Sequence, residues 1–310
     1  MRQAKIKVLG VGGSGGNAIT RMAKCNIQGV ELIALNCDVQ DLKKTKAHKR
    51  IQIGKELTKG LGAGMNPRIG QKAAEESRDA IAEVLKNTDI AFVVSGMGGG
   101  TGSGAAPVIA GIAKDLGALT VGAVTLPFSF EGAQRKSIAL GAKRRLKERV
   151  DTLFVIPNDK LLDQIDEQTT FLSAFWLCDE ILRQAVHGIS DLIVRPGIIN
   201  VDFADVNTVM SESGSALFGV GHAEGEKKIK RAANMAINSP FLDFAISGAK
   251  RILFNITGGR NLSLAEVQEA ARIITRSSSA TKVIFGAIED PKLKPDEVKI
   301  TLIAAGIDKS

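Results

Sequence analysis

The sequence has no tyrosine, one tryptophan (Trp176), three cysteines and eight prolines in 310 residues. Each scarcity excludes something. Aromatic residues make up 4% of the chain, too few for the stacking platforms on which single-strand binders lay bases. The cysteines Cys25, Cys37 and Cys178 lie far apart, with no C-x-x-C pair, and His48, His187 and His222 are equally scattered. Neither a disulfide framework nor a zinc site can be drawn from such spacing, and reduced thiols in a cytosolic protein are expected. No apolar run approaches the roughly 18 residues of a membrane-spanning helix, and no charged segment leads into an apolar one at Met1. A soluble, unexported chain without direct membrane insertion is the expectation. The absence of any G-x-x-x-x-G-K-[ST] excludes a P-loop nucleotidase.

What is present is charge and glycine. Lysine and arginine number 41 against 33 acids, a net charge of +8. The densest basic run, Lys143–Arg149, contains Glu148 and sits inside a helical pattern. A solvated helix face explains it better than a nucleic-acid stripe, so no nucleic-acid partner is expected. The length suggests two domains. The 33 glycines are clustered.

Along the first half, short apolar runs alternate with helical patterns: strands at Ile6–Val11, Glu31–Asn36, Asp89–Ser95, Leu119–Thr125 and Leu153–Ile156, and helices at Gly15–Lys24, Arg68–Lys86, Thr101–Leu116 and Gln134–Arg149. This alternation predicts an α/β fold, a doubly wound parallel sheet with helices on both faces. Residues 169–195 read as a long central helix, with Gly188 as a candidate interruption and Pro196 and Gly197 as punctuation. Residues 196–310 read as a smaller α+β C-terminal domain, in which strands Lys282–Ile288 and Val298–Ala305 can pair antiparallel across a short connection. The expected domains are thus residues 1–168, the connecting helix 169–195, and 196–310.

Two glycine loops carry the functional argument. Gly10–Asn17 follows the first strand and opens a helix, which brings a backbone close to a phosphate at a helix N-terminus. Alone it also fits a dinucleotide-binding fold, with Asp38 where the ribose-binding acid would stand. The second loop, Gly96–Gly104, has glycine at six of nine positions, again between a strand and a helix. Close helix–strand packing accounts for one or two of these. Two such loops suit a polyphosphate held by backbone amides at two helix N-termini, and a dinucleotide oxidoreductase becomes the weaker reading.

With GGGTGSG at Gly98–Gly104, the chain resembles the tubulin/FtsZ family of GTPases, and its FtsZ branch in particular. The resemblance runs from about Lys5 to Ile307. Asn36–Asp38, Gly60–Pro67, Pro127–Gly132, Ile156–Leu162 and Asn200–Val206 follow in family order; Ser14 and Cys37 depart from the commonest residues but keep small size. The resemblance implies a GTP-hydrolysing cytoskeletal protein that polymerises head to tail into the filaments of a division ring, in the cytoplasm at the division site. It implies GTP/GDP as ligand, Mg2+ with it, and a monovalent cation near the catalytic loop. The implied partners are the chain itself, membrane tethers and regulatory division proteins. Family chains continue into a linker and a tether-binding peptide, whereas this sequence stops at Ser310.

Site residues follow from the same match. Phosphates are expected on Gly12, Gly13, Ser14, Gly15, Gly16 and Asn17, and on Gly98, Gly99, Gly100, Thr101, Gly102, Ser103 and Gly104. Thr101 fits equally as a helix N-cap. Glu131 and Arg135 share a helix face and take ribose and phosphate contacts in the family; a solvated ion pair is the alternative. Phe175 and Asp179, also four apart, can stack on a purine and accept guanine's two adjacent donors, a pair adenine lacks. A core phenylalanine beside a surface aspartate fits the spacing as well. Asn158 matches the family's asparagine near the base. Asn200, Asp202 and Asp205 match the loop that positions the attacking water in the next subunit's site; Asp205 capping a helix that begins near Val206 is the alternative. A nucleotide-binding scaffold without hydrolysis is a third reading, disfavoured by these carboxylates.

Overall fold

Residues 4–25, 27, 29–162, 169–195, 197–239 and 246–307 are described in the computed structural model of the chain. Two compact units divide it, Met1–Ser190 and Asp191–Ser310. The expected boundary at residue 168, and Pro196, lie outside the described residues. The helix Phe171–Val194 runs through Gly188 without a break, and the change of unit falls within it. Among the described residues no helix is long and apolar enough to cross a membrane.

In the first unit, strands β1 (Ile6–Val11), β2 (Val30–Asn36), β3 (Lys49–Gln52), β4 (Ile90–Gly96), β5 (Leu119–Leu126) and β6 (Thr152–Pro157) pair in parallel. Their order is β3-β2-β1-β4-β5-β6. A parallel sheet is covered on both faces, so its inner strands must be apolar throughout. β1 is buried at every position, and β4 at all but its last. Against the sheet pack Ala105, Ala106, Ile109 and Ala110 of the helix Gly100–Asp115 and Ala139, Ala142 and Leu146 of the helix Ala133–Lys147.

The position of β1 fixes the site. It lies between β2 and β4, so the winding of the sheet reverses there, and the carboxyl ends of β1 and β4 are neighbours. Connections diverge at such a point and leave a crevice.

The helix expected over Arg68–Lys86 is instead two, Pro67–Glu76 and Arg78–Leu85, broken at Ser77. Local polar bonds explain the break. Ser77 Oγ accepts from Gly54 N–H at 3.0 Å, and the Glu76 carboxylate accepts from the amides of Glu56 and Leu57 at 3.0 and 3.1 Å. These bonds tie the corner to the short helix Lys55–Thr58.

The second unit holds β7 (Gly214–Glu224), β8 (Arg251–Gly258), β9 (Lys282–Glu289) and β10 (Glu297–Ala305), in the order β7-β10-β8-β9. The expected antiparallel pairing of the last two strands does not occur. β9 runs parallel to β8, and β10 lies between β7 and β8, antiparallel to both. The cause is the helix Leu264–Arg276, which returns the chain to the starting end of β8 before β9 begins. Parallel neighbours need such a crossover.

The helix Lys228–Ile237 lies so close to β7 that glycine is required beneath it. A β-carbon on Gly221 would run into Ala232 O and stand 2.9 Å from Ala236 N. Backbone atoms cannot step aside as a side chain does, so Gly221→Ala must lift the helix. We expect a loss of about 1–3 kcal/mol in urea unfolding. In Gly111→Ala the nearest obstacle is Arg149 Cδ at 3.7 Å, and that helical change should stabilise by about 0.4–1 kcal/mol. Equal effects would refute the steric account.

Candidate functional site

The two glycine loops meet because β1 and β4 pair in register, Val11 opposite Ser95. Ser95 Oγ donates to Val11 O at 3.1 Å, and buried Ser103 Oγ accepts from Gly98 N–H at 2.8 Å. Gly12 takes φ +75° as its helix begins, and a β-carbon there would stand 3.0 Å from Gly102 N. A β-carbon on Gly102 would run into Ser95 Oγ and lie 2.7 Å from Gly96 O. One on Gly104 would run into Pro67 O and lie 2.6 Å from Gln71 N. Packing therefore accounts for more of the second loop than the one or two glycines expected, because its helix sits against both the strand ends and the helix Pro67–Glu76.

Neither helix that opens from these loops has a side-chain cap. Gly12–Lys24 starts behind Val11 and Gly100–Asp115 behind Gly99, with no side-chain hydrogen bond to the first turn of either. Thr101 is thus inside its helix, and its reading as the N-cap is corrected: the cap position is Gly99. The orphan amides of a first turn favour an anion.

These helix starts border a cavity of about 610 Å³ in the first unit. Of the expected nucleotide residues, Gly12, Gly13, Ser14, Asn17, Gly99, Gly100, Thr101, Gly102, Glu131, Arg135, Asn158, Phe175 and Asp179 line it. Gly15, Gly16, Gly98, Ser103 and Gly104 are not among its lining residues. Lining positions that the sequence reading did not single out include Asn36, Asp41, the loop Leu61–Met65, Met97, Thr125, Pro127 and Cys178. The motifs at Asn36–Asp38 and Gly60–Pro67 were a signal for several of them. Nothing in the sequence pointed to Asp41 or Cys178.

The lining is acidic. Among the described residues, Arg135 is its one basic side chain, against Asp38, Asp41, Glu131 and Asp179. Asp38, placed by sequence where a ribose-binding acid might stand, spends Oδ1 on the amides of Gln40 and Asp41 at 2.8 and 3.1 Å, capping the helix Val39–Lys44. Glu131 Oε1 accepts from Phe128 N–H at 2.8 Å, while Oε2 pairs with Arg135 at 2.9 Å. Asp179 is 6% exposed, which excludes the surface aspartate considered above. Its Oδ2 accepts from Arg21 Nε at 3.0 Å. Burial pushes the Asp179 carboxyl above its ordinary value, against the opposing pull of Arg21. Burial likewise pushes the neighbouring Cys178 thiol up to about 12, which leaves it protonated and inert.

Two further features mark the end of the cavity at Phe175 and Asn158. Phe175 meets Phe128 edge-on at 5.2 Å, and Phe128 stacks on Phe130 at 4.9 Å. Buried Asn158 Oδ1 has no hydrogen-bond partner among the described residues. A buried acceptor without a partner is costly, so it calls for a donor from a ligand or water.

Asn200, Asp202 and Asp205 belong to the second unit and are not among the lining residues of this cavity. Asn200 Oδ1 accepts from Gly197 N–H at 2.7 Å. The helix here begins at Phe203, not near Val206, so Asp202 is the N-cap and Asp205 its third residue. The two carboxylates cap reciprocally: Asp202 Oδ1 accepts from Asp205 N–H at 2.8 Å, and Asp205 Oδ2 from Asp202 N–H at 3.3 Å. Such a box fixes the loop and satisfies two amides.

Known proteins resemble this chain over nearly its whole length. Residues 5–166 match the Tubulin/FtsZ family GTPase domain, and residues 214–308 the FtsZ family C-terminal domain. The FtsZ dimer of M. jannaschii, an empty form, is 45% identical, covering 99% of this chain and 89% of that one, with a TM-score of 0.93. The W319Y mutant of M. jannaschii FtsZ is 46% identical over 98% of this chain and 92% of that one, TM-score 0.92. CetZ1 from Haloferax volcanii, a GDP-bound monomer, shares the fold at 23% identity, with 98% and 95% coverage and a TM-score of 0.86. On the GTPase-domain match and the identity across nearly its whole length, the chain belongs to the tubulin/FtsZ family.

Proposed function

We propose that the chain binds GTP in the cavity of its first unit, assembles head to tail with copies of itself, and hydrolyses the nucleotide at the junction. In this reading the filaments build a division ring at the cytoplasmic division site, where tethers and regulators of division would meet them. The observation that carries it is the pair of uncapped helix starts, side by side, above a cavity with one arginine. With so few cationic side chains, a triphosphate is held by amides and helix dipoles. Mg2+ would supply the remaining positive charge. The donor set fits a magnesium ion: Asp41 stands beside the phosphate loop, since a β-carbon on Gly13 would lie 3.0 Å from its Oδ2. No group of three or more metal-ligating side chains occurs among the described residues. One or two carboxylates plus phosphates and waters is the usual magnesium environment.

Phe175 and Asp179 are assigned to the base, and Asn158 Oδ1 gains the donor it lacks. The catalytic assignment rests on Asn200, Asp202 and Asp205 in the other unit, reaching the nucleotide of the next copy. Their carboxylates would orient the attacking water rather than contact phosphate. Leu61, which lines the cavity, is 86% exposed, as a residue awaiting a second copy would be. The related M. jannaschii FtsZ is described as a dimer. A heterologous contact of this kind does not close on itself and propagates as a filament.

Assembly and turnover should therefore share a threshold. With GTP and Mg2+, light scattering and phosphate release per subunit should both rise above one protein concentration, and stay near zero with GDP or ATP. Turnover per subunit that is constant down to nanomolar protein would refute the shared site.

Because Asp205 also caps its helix, alanine would confuse two effects, at about 0.5–2 kcal/mol for the cap. Asp205→Asn keeps an acceptor for the cap. It should bind GTP, assemble and melt as the parent does, yet release phosphate slowly, giving longer-lived filaments. Full hydrolysis in this variant would remove Asp205 from catalysis.

Asp179→Asn sets an added donor against guanine's donors and should lose preference for GTP over ATP, since each charge-assisted bond contributes about 1.5–3 kcal/mol. It should also change the acid behaviour of the nucleotide-free chain. The raised folded pKa means that the folded state keeps a proton which the unfolded state has released. Stability from this group thus falls as pH rises from the ordinary carboxylate range through the raised value, and Asp179→Asn should abolish that fall in melting temperature against pH.

A further inference from the structure

Arg21 is not among the residues that line the cavity, yet it holds the buried carboxylate assigned to the base. It occupies the last turn of the helix that starts at the first glycine loop. At about 1.5 Å per residue, Gly13 and Arg21 lie about 12 Å apart along that axis, so one helix spans the phosphate end and the base end of the cavity. Arg21 follows Asn17, a lining residue, by four positions and shares its face. Its guanidinium lies 5.2 Å from the centre of the Trp176 ring, one turn before Asp179 on the facing helix. The side chains of Arg21 and Asp179 are 23% and 9% exposed, so the pair is largely dry. The contact takes one carboxylate oxygen and, among the described residues, leaves the second for a ligand.

Resting on the guanine reading of Asp179 above, we infer that Arg21 is a positioning residue that sets base selection. It holds Asp179 in the orientation and charge state that guanine's donors require, and Trp176 covers its outer face. Two features favour this role over simple stabilisation. A largely buried ion pair gives little net stability, because desolvation consumes most of the attraction. Arg21 also stands outside the cavity lining, where it acts on a ligand through Asp179. The other charged groups nearby do not compete. Glu180 acts on Arg21 but is itself held by Arg183 at 2.5 Å, Glu131 is paired with Arg135, and the Cys178 thiol is neutral.

Without Arg21, burial alone would govern Asp179, and the carboxylate would tend to take a proton. A protonated carboxyl presents a donor to guanine and loses the selection.

The test measures GTP and ATP affinity by competition, on the full chain below its assembly threshold, for the parent, Arg21→Gln, Arg21→Lys and Asp179→Asn. Arg21→Gln should weaken GTP about tenfold near neutral pH and leave ATP unchanged. The loss should shrink as pH rises, as Asp179 ionises unaided. Arg21→Lys should restore most of the GTP affinity. Equal loss of GTP and ATP at every pH, or no loss for either, would overturn the role of Arg21. Selectivity retained in Asp179→Asn would overturn the guanine reading itself. Selectivity lost in Asp179→Asn but kept at every pH in Arg21→Gln would sink only the inference about Arg21.

Discussion

The site depends on one adjacency, the parallel pairing of β1 with β4 at the point where the sheet changes its winding direction. Because Val11 stands opposite Ser95, both strands deliver their following loops to one crevice. Each loop then opens a helix whose first amides lack a side-chain cap. The glycines are the local condition for this arrangement. A side chain at Gly12 would press on Gly102 N of the second helix, and one at Gly102 would run into the end of β4.

Much of this was legible in the sequence, for identifiable reasons. Buried parallel strands read as unbroken apolar runs, so the order of elements in the first unit followed from periodicity. Loop chemistry marked where strands gave way to helices. Pairing in the second unit was not legible, since a strand's neighbour is a non-local property: Lys282–Ile288 and Val298–Ala305 are adjacent in sequence, but the return of the helix Leu264–Arg276 separates them in the sheet. The break at Ser77 was hidden for a similar reason, as it depends on Gly54, which packs there only in the folded chain.

In the cavity, spacing found Phe175 with Asp179, four apart on one helix; Glu131 does pair with Arg135, but it ends a 3-10 turn before the helix Ala133–Lys147 and shares no helix face with it. Spacing could not find Arg21, which is far from Asp179 in sequence and whose partner is visible only once the helices face one another. Nor could it divide the glycines between cavity-lining and packing roles. That distinction lies in what a β-carbon would strike, and composition does not record it.

The place of β10 has a consequence for biosynthesis. This strand is the last of its four to leave the ribosome, yet it occupies an interior position between β7 and β8. Until it emerges, the nascent second unit has only the β8–β9 ladder, and the edges of β7 and β8 that will receive β10 stay unpaired. Exposed strand edges of this kind invite pairing with other chains. The first unit, with its six strands complete by Pro157, can close vectorially while translation continues. The second can complete its sheet only once β10 emerges, in a late step that inserts this strand between β7 and β8.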